Sequence, residues 1–292
     1  MFSGSITALI TPFAKNGQID DASFQRFVEW QIGQGSNGLV PSGSTGESAT
    51  LSHDEHERVI RLCVEATAGR VPVIAGTGSN STSEAISLTK AAQACGADAA
   101  LIVMPYYNKP SQEGLYQHYK AIHDSVGIPI IIYNIPGRSV VDMSVETMAR
   151  LAKLPRIVGV KDATADLTRP TRTRHAIGPD FCQLSGEDPT IAAFLAQGGH
   201  GCISVTANVA PAICTALQAA WRSGNLTEMA RLRDLLVPLN SALFVEVNPV
   251  PVKYAVSLLG FCDPNLRLPL IEASPETRVT VEAAMRFAGI LN

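Results

Sequence analysis

The sequence has no surplus of positive charge: 23 lysines and arginines stand against 26 aspartates and glutamates, a formal net charge of −3 at pH 7. A domain built to neutralise phosphates carries a basic face, and no Lys/Arg cluster occurs along the chain, which argues against a nucleic-acid binder. No apolar run approaches the roughly 18 residues that span a bilayer. The first positive side chain is Lys15, so the N-terminal stretch lacks the basic region of a secretory signal. The expectation is a cytoplasmic protein with neither a membrane nor a nucleic acid as partner. Cys63, Cys95, Cys182, Cys202, Cys214 and Cys262 form no C-x-x-C pair and have no histidine at zinc spacing, so they read as reduced, structural thiols.

Several catalytic signatures are missing as well. Gly38-x-x-x-x-Gly43 is followed by Ser44 and Thr45 without the lysine of a phosphate-binding loop. Gly76-Thr77-Gly78 lacks the third glycine of a dinucleotide fingerprint, and no G-x-S-x-G elbow occurs. His53 and His56 stand three apart without the H-E-x-x-H order, so they read as solvated cap residues and no metal is expected. The three arginines between Arg169 and Arg174, with His175, read as a solvated helix face.

What is present is a 46% hydrophobic, 17% charged composition, ordinary for a globular chain with a large core. Short runs rich in Val and Ile fall at 5–11, 38–42, 72–76, 98–104, 129–133, 156–161, 181–185 and 201–205, with helical stretches between them. Eight such units match a (β/α)8 TIM barrel of parallel strands, apolar on both faces because helices wrap them. A doubly wound open sheet is the alternative, but it seldom needs eight units. Ser52-His53-Asp54-Glu55 reads as a capping box ahead of an apolar stripe. Beyond about residue 224 the strand runs stop. Helices are expected over 226–244, 252–259 and from an N-cap at Ser274 with Pro275 in the first turn. The division is therefore 1–224, a catalytic barrel, and 225–292, a helical extension packed on it.

Barrel chemistry is built at the C-terminal ends of strands and in the loops that follow. Lys161 closes the run Ile157-Val158-Gly159-Val160, which points it into the mouth. Desolvation there favours a neutral amine, a Schiff-base nucleophile for a carbonyl substrate. A strand-end lysine that snorkels to solvent and pairs with Asp162 fits position alone equally well. Tyr133 closes the preceding strand beside it; its phenol can relay protons, or its ring can simply be buried with the hydroxyl wet. Arg138 follows a Pro-Gly turn at the same rim, where its fork suits a carboxylate, though a solvated loop arginine fits too. The Gly43-Ser44-Thr45-Gly46 loop offers backbone N–H groups and two hydroxyls to a small carboxylate.

Gly43-Ser44-Thr45-Gly46-Glu47-Ser48-Ala49-Thr50, Pro105-Tyr106-Tyr107-Asn108-Lys109-Pro110, Tyr133-Asn134-Ile135-Pro136-Gly137-Arg138, Gly159-Val160-Lys161-Asp162-Ala163-Thr164 and Gly201-Cys202-Ile203-Ser204-Val205-Thr206-Ala207-Asn208 together resemble the dihydrodipicolinate synthase family of pyruvate-dependent aldolases. The resemblance implies condensation of pyruvate with L-aspartate 4-semialdehyde in lysine and diaminopimelate biosynthesis, with no metal or organic cofactor. It implies that Lys161 forms the imine and Tyr133 donates and accepts protons. The resemblance further implies that Ser44 and Tyr107 complete a hydroxyl relay, Tyr107 from the neighbouring subunit of a tight dimer within a homotetramer. By the same resemblance, Thr45 and the Ile203 backbone would contact pyruvate, and Arg138 would hold the semialdehyde carboxylate. Ser48, Ala49, His53, His56, Asn80, Glu84 and Tyr106 match positions at which some members bind L-lysine as feedback inhibitor. Three departures stand out: serine at position 44 where the family has threonine, Ala165 where glycine is usual, and Glu187 where aspartate is common.

Overall fold

The computed structural model describes residues 2–292. Its eight strands are β1 Gly4–Ala8, β2 Gly38–Val40, β3 Ile74–Gly76, β4 Ala99–Val103, β5 Ile130–Asn134, β6 Ile157–Asp162, β7 Cys182–Ser185 and β8 Gly201–Ser204. Each falls on one of the apolar runs. All neighbours are parallel, in the order β2-β1-β8-β7-β6-β5-β4-β3. The seam between β2 and β3 is closed by a parallel bridge between Leu39 and Val73, with Leu39 N–H donating to the Pro72 carbonyl at 3.0 Å. The sheet is thus a TIM barrel.

Because successive strand residues point to opposite faces, one phase of each strand fills the barrel and the other meets the helices. Ile6, Ala8, Val40, Ile74, Leu101, Ile131, Tyr133, Leu184 and Ile203 form the inner cluster. Ala100, Ile102, Ile130, Ile132 and Val160 pack outward against the surrounding helices. Lys161 lies two residues beyond Gly159 in the inward phase of β6, beside Tyr133 in the β5–β6 register. That parity brings a charged side chain to the mouth without disturbing the outer wall.

The helix His53–Thr67 carries the expected capping box, Ser52 accepting from the Glu55 N–H and Glu55 from the Ser52 N–H. After β8 the chain is helical: Pro211–Arg222, Leu226–Ala242, Val250–Leu258 and Pro275–Phe287. The first C-terminal helix ends two residues earlier than expected, with Leu243 as C-cap, and the next begins two residues earlier, at Val250. Leu232, Leu236, Leu239, Val252, Val256, Val281 and Met285 share one buried cluster with Phe13, Phe24 and Phe27 of the barrel's N-terminal side. Among the described residues no helix is long and apolar enough to cross a membrane, and no group of metal-ligating side chains converges. All six cysteines are free thiols, with Cys63, Cys182, Cys202 and Cys214 buried.

One expectation is corrected here. Arg172, Arg174 and His175 are exposed, but Arg169 is buried. It starts its helix just after the β6 loop, and this position turns its guanidinium back under the rim. There its Nε donates to Asp162 at 2.9 Å, and its other nitrogens donate to Asp142 and to the Met143 carbonyl.

Candidate active site

A cavity of about 500 Å³ opens at the C-terminal end of the barrel. Its floor follows the inward phase: Ala8, Val40, Leu101 and Tyr133 below, then Ser42, Val103, Lys161, Gly186 and Val205 at the strand ends. Ile203 is one layer too deep. It is wholly buried against Ile6 in the inner cluster, and Val205 takes the wall above it.

Lys161 is 6% exposed, and its ammonium nitrogen stands 4.1 Å from the centroid of the Tyr133 ring. Among the described residues no carboxylate lies within ion-pair distance of it. The pairing with Asp162 does not form: the two residues alternate across β6, and the Asp162 carboxylate, on the other face, is taken by Arg169 and Thr164. Space for the lysine chain is provided at Gly186, where an added Cβ would lie 3.0 Å from Lys161 Cε and 2.7 Å from Ala163 Cβ. Glu187 follows on the cavity wall; burial pushes its carboxyl pKa up, neighbouring Asp188 adds to this, and Lys161 opposes it. The buried Asp188 accepts from Val205 N–H at 2.9 Å and Thr206 N–H at 3.2 Å, which fixes the end of β8.

The loop after β2 brings Ser44 and Thr45 to the cavity. Thr45 is buried, and its hydroxyl accepts from Asn248 Nδ2 at 3.0 Å. Ser44 Oγ and the Tyr133 hydroxyl make no hydrogen bond with each other or with another described residue. Tyr107 does not enter this chain's cavity: it is 88% exposed, on a backbone with φ of +69°. Arg138 sits at the rim in the short helix Pro136–Ser139, and its guanidinium donates to the Asn248 carbonyl at 2.9 Å.

Glu47 ends the loop in the left-handed region, φ +56°. Its buried carboxylate pairs with the wholly buried Lys253 of the helix Val250–Leu258 and accepts from Arg267 N–H at 3.0 Å. The Lys253 nitrogen stands 4.0 Å and the Arg267 guanidinium carbon 4.4 Å from the Phe13 ring centroid. Burial drives the Lys253 pKa down and Glu47 works against that. Sequence reasoning missed Lys253, Arg267 and Asn248. A lone lysine inside Val250-Pro251-Val252-Lys253-Tyr254-Ala255-Val256 was a readable sign of a buried pair; nothing local marks Asn248.

The seven residues matched to lysine binding separate into two groups. Ser48, Ala49, His53, His56, Glu84 and Tyr106 line the same cavity, while Asn80 does not and only its carbonyl is engaged, by Asn108. His53 pairs with Glu84 at 2.9 Å, and Ser79 and His53 hold the Glu84 carboxyl below its usual range. His56 is not the solvated cap residue expected: it is buried on the inner face of its helix, and its Nε2 lies 2.8 Å from the Gly76 carbonyl, which can only accept, so the proton is on Nε2. Its Nδ1 is buried without a partner, and burial lowers the imidazole pKa. Ala165 has φ of +59°, a left-handed conformation that glycine adopts more readily than alanine.

An unpaired lysine at a strand end, a tyrosine against it and a cationic rim define a barrel of the class I aldolase type, in which an amine forms an imine with a carbonyl substrate. The model of the dihydrodipicolinate synthetase family matches residues 1–288. A 4-hydroxy-tetrahydrodipicolinate synthase from Rhodospirillum centenum is 70% identical, covering 100% of both chains. The chloride-inhibited dihydrodipicolinate synthase of Acinetobacter baumannii, solved in complex with pyruvate, superposes with a TM-score of 0.97 at 46% identity over 100% of both chains. The enzyme from Cyanidioschyzon merolae, solved with lysine bound, gives 0.96 at 38% identity over 99% of each. The chain belongs to the dihydrodipicolinate synthetase family. Its activity is that of a 4-hydroxy-tetrahydrodipicolinate synthase of lysine and diaminopimelate biosynthesis, a lyase chemistry of the class I aldolase type.

Proposed function

We propose that Lys161 is the imine-forming residue of this activity and that the cavity condenses pyruvate with L-aspartate 4-semialdehyde. The observation that carries this is an amine in the cavity at the barrel mouth, with no carboxylate at ion-pair distance among the described residues, with Gly186 giving it room and Tyr133 against it. The neutral amine attacks the pyruvate carbonyl and water leaves, giving the imine. The imine nitrogen then draws off electrons so that the methyl group loses a proton, and the resulting enamine carbon attacks the aldehyde. Tyr133 serves as proton donor and acceptor.

Ser44 and Tyr107 extend the proton path. Tyr107 reaches the site only from a second copy of the chain, which supports a tight dimer and, by pairing of dimers, a homotetramer. Its near-complete exposure fits such a role. Thr45 and the backbone of Ile203, whose side chain lies one layer below the cavity wall, contact the pyruvate, and Arg138 takes the carboxylate of the semialdehyde. L-Lysine is the proposed inhibitor, at His53, His56, Glu84, Ser48, Ala49, Asn80 and Tyr106; the lysine-bound relative supports this assignment.

The test is borohydride reduction in the presence of pyruvate, with mass mapping of the adduct. A label on Lys161, together with pyruvate-dependent loss of the semialdehyde, is the expected result. A label elsewhere, or none, overturns the reading. An initial rate unchanged at millimolar L-lysine removes the inhibitory site.

A further inference from the structure

Behind Tyr133 and Lys161 lies a buried polar cluster that faces away from the cavity. Tyr133 is opposite Lys161 and Asn134 opposite Asp162 in the β5–β6 register, so the alternation that turns the first pair inward turns the second outward. Arg169, the first residue of the helix Arg169–Ile177, is buried and ties the second pair to the loop that follows β5. Its Nε donates to Asp162 at 2.9 Å, one terminal nitrogen to Asp142 at 3.2 Å and the other to the Met143 carbonyl at 2.7 Å. Asn134, wholly buried, holds the same loop: its Nδ2 donates to Asp142 at 2.7 Å and its Oδ1 accepts from Met143 N–H at 3.1 Å. The turn that delivers Arg169 is closed by its own side chains. Asp162 accepts from Thr164 N–H at 3.0 Å, Thr164 Oγ1 from Asp166 N–H at 3.2 Å and Asp166 from Thr168 N–H at 2.9 Å.

We infer that Arg169 is a positioning residue for both partners of the condensation: through Asp162 it fixes the end of β6 that carries Lys161, and through Asp142 and Met143 it fixes the loop that carries Arg138. This rests on the roles proposed above for Lys161 and Arg138. The loop leaves β5 after Asn134, carries Arg138 at the cavity rim and returns to Asn134 at Asp142 and Met143, so its base is pinned where Arg169 sits. A guanidinium suits the task because its donors lie in a rigid, permanently charged fork, here spread over acceptors on two segments. A lysine ammonium gathers its protons at one point. Asp142, Asp162 and Arg169 lie outside the cavity lining, so they act through the backbone they hold. A displacement of about 1 Å at a reacting group costs on the order of 100-fold.

The test cuts the two ties separately. Each carboxylate uses one oxygen for Arg169 and the other for Thr164 or Asn134, and an asparagine has a single oxygen to offer. The parent, Asp162→Asn, Asp142→Asn, Arg169→Met and Arg169→Lys are compared by three readouts: the rate constant of pyruvate-dependent borohydride trapping at Lys161, the half-saturating concentration of L-aspartate 4-semialdehyde, and the melting temperature. Asp162→Asn is expected to slow trapping about 10- to 100-fold with little change in semialdehyde saturation, and Asp142→Asn to raise the half-saturating concentration by a similar factor with little change in trapping. Arg169→Met should do both, and Arg169→Lys should not restore either. A purely structural role lowers the melting temperature and the amount of labelled protein but leaves the rate constant and the half-saturating concentration at the parent values. That result, restoration by Arg169→Lys, or the same loss from both aspartate variants overturns the inference alone. Asp142 is half exposed, so Asp142→Asn decides the matter where the buried variants do not fold. A parent enzyme without a label on Lys161 overturns the underlying reading, and this inference with it.

Discussion

The Glu47–Lys253 pair is the place where one substitution tests how the C-terminal extension supports the site. Both side chains are essentially inaccessible to water, at 1% and 0% exposure. Replacing Lys253 by Met keeps the packing volume but leaves a buried carboxylate with only the Arg267 N–H as donor. Removing one partner of a buried pair costs about 3–5 kcal/mol, because the remaining charge has lost both water and counter-ion. At about 2–4 °C per kcal/mol for a chain of this size class, the melting temperature should fall by roughly 6–20 °C. Glu47→Gln leaves the lysine stranded in the same way. The double variant Glu47→Gln/Lys253→Met has no stranded charge, so it should be more stable than either single variant. The assay is thermal or urea unfolding of all four proteins, with the half-saturating pyruvate concentration measured alongside, since the pair holds the loop that carries Ser44 and Thr45. Losses that simply add, or single variants with unchanged stability, refute the reasoning.

Gly186→Ala places a methyl group 3.0 Å from Lys161 Cε, and a displacement of that order should slow pyruvate-dependent trapping of the lysine by about 10- to 100-fold; an unchanged rate shows that the glycine is not what makes room. Ala165→Gly removes a left-handed strain of roughly 1–2 kcal/mol and adds the chain entropy glycine costs, for a net gain of about 0.5–1 kcal/mol; a lower denaturant midpoint contradicts this. The Glu55 carboxyl is lowered from 4.5 to about 2, first by the hydrogen bonds from Arg267 and then by the cap at Ser52, against burial. A depressed carboxyl contributes stability that is complete above pH 4.5 and is lost as pH falls through about 2. The stability gap between the parent and Glu55→Gln should therefore be constant above pH 5 and close between 4.5 and 2; a gap that widens in acid rules out the pairing.

The barrel was legible because burial on both faces writes each strand as an uninterrupted apolar run, and the helix between two runs leaves room for no other connection. Lys161 was legible for the same reason, as the one charge closing such a run. Its pairing was not. Lys161 and the adjacent Asp162 face opposite sides of β6, so they do not meet, and Arg169, the actual partner of Asp162, gives no local sign of being turned inward. Ala165 and Glu187 could be noticed as departures from a pattern, but only the backbone angle at the first and the burial of the second give them physical content. Tyr107 shows a different limit: in the single chain it is almost wholly exposed and outside the cavity, so the proposal that it joins a relay rests on a second chain, which no single-chain pattern encodes.

The contacts between extension and barrel are not uniformly apolar, and where they turn polar is informative. Away from the mouth, leucines, valines and phenylalanines pack together, and such burial accounts for docking the helices. At the mouth, Lys253 meets Glu47, Arg267 meets Glu55 and the Thr50 carbonyl, and Asn248 meets Thr45 and Arg138. Buried polar contacts add little net stability over well-packed apolar ones, but they tolerate fewer geometries, since a shift of an ångström leaves a donor or acceptor unpaired. They fall on the loop of residues 44–55 and on Arg138, and so they set where the Thr45 hydroxyl and the Arg138 guanidinium stand at the cavity. Residues separated by about two hundred positions, 45 from 248 and 47 from 253, are thereby held as one unit. The extension is therefore part of the site's geometry: its apolar face fixes that it docks, and its polar edge fixes where Thr45 and Arg138 stand.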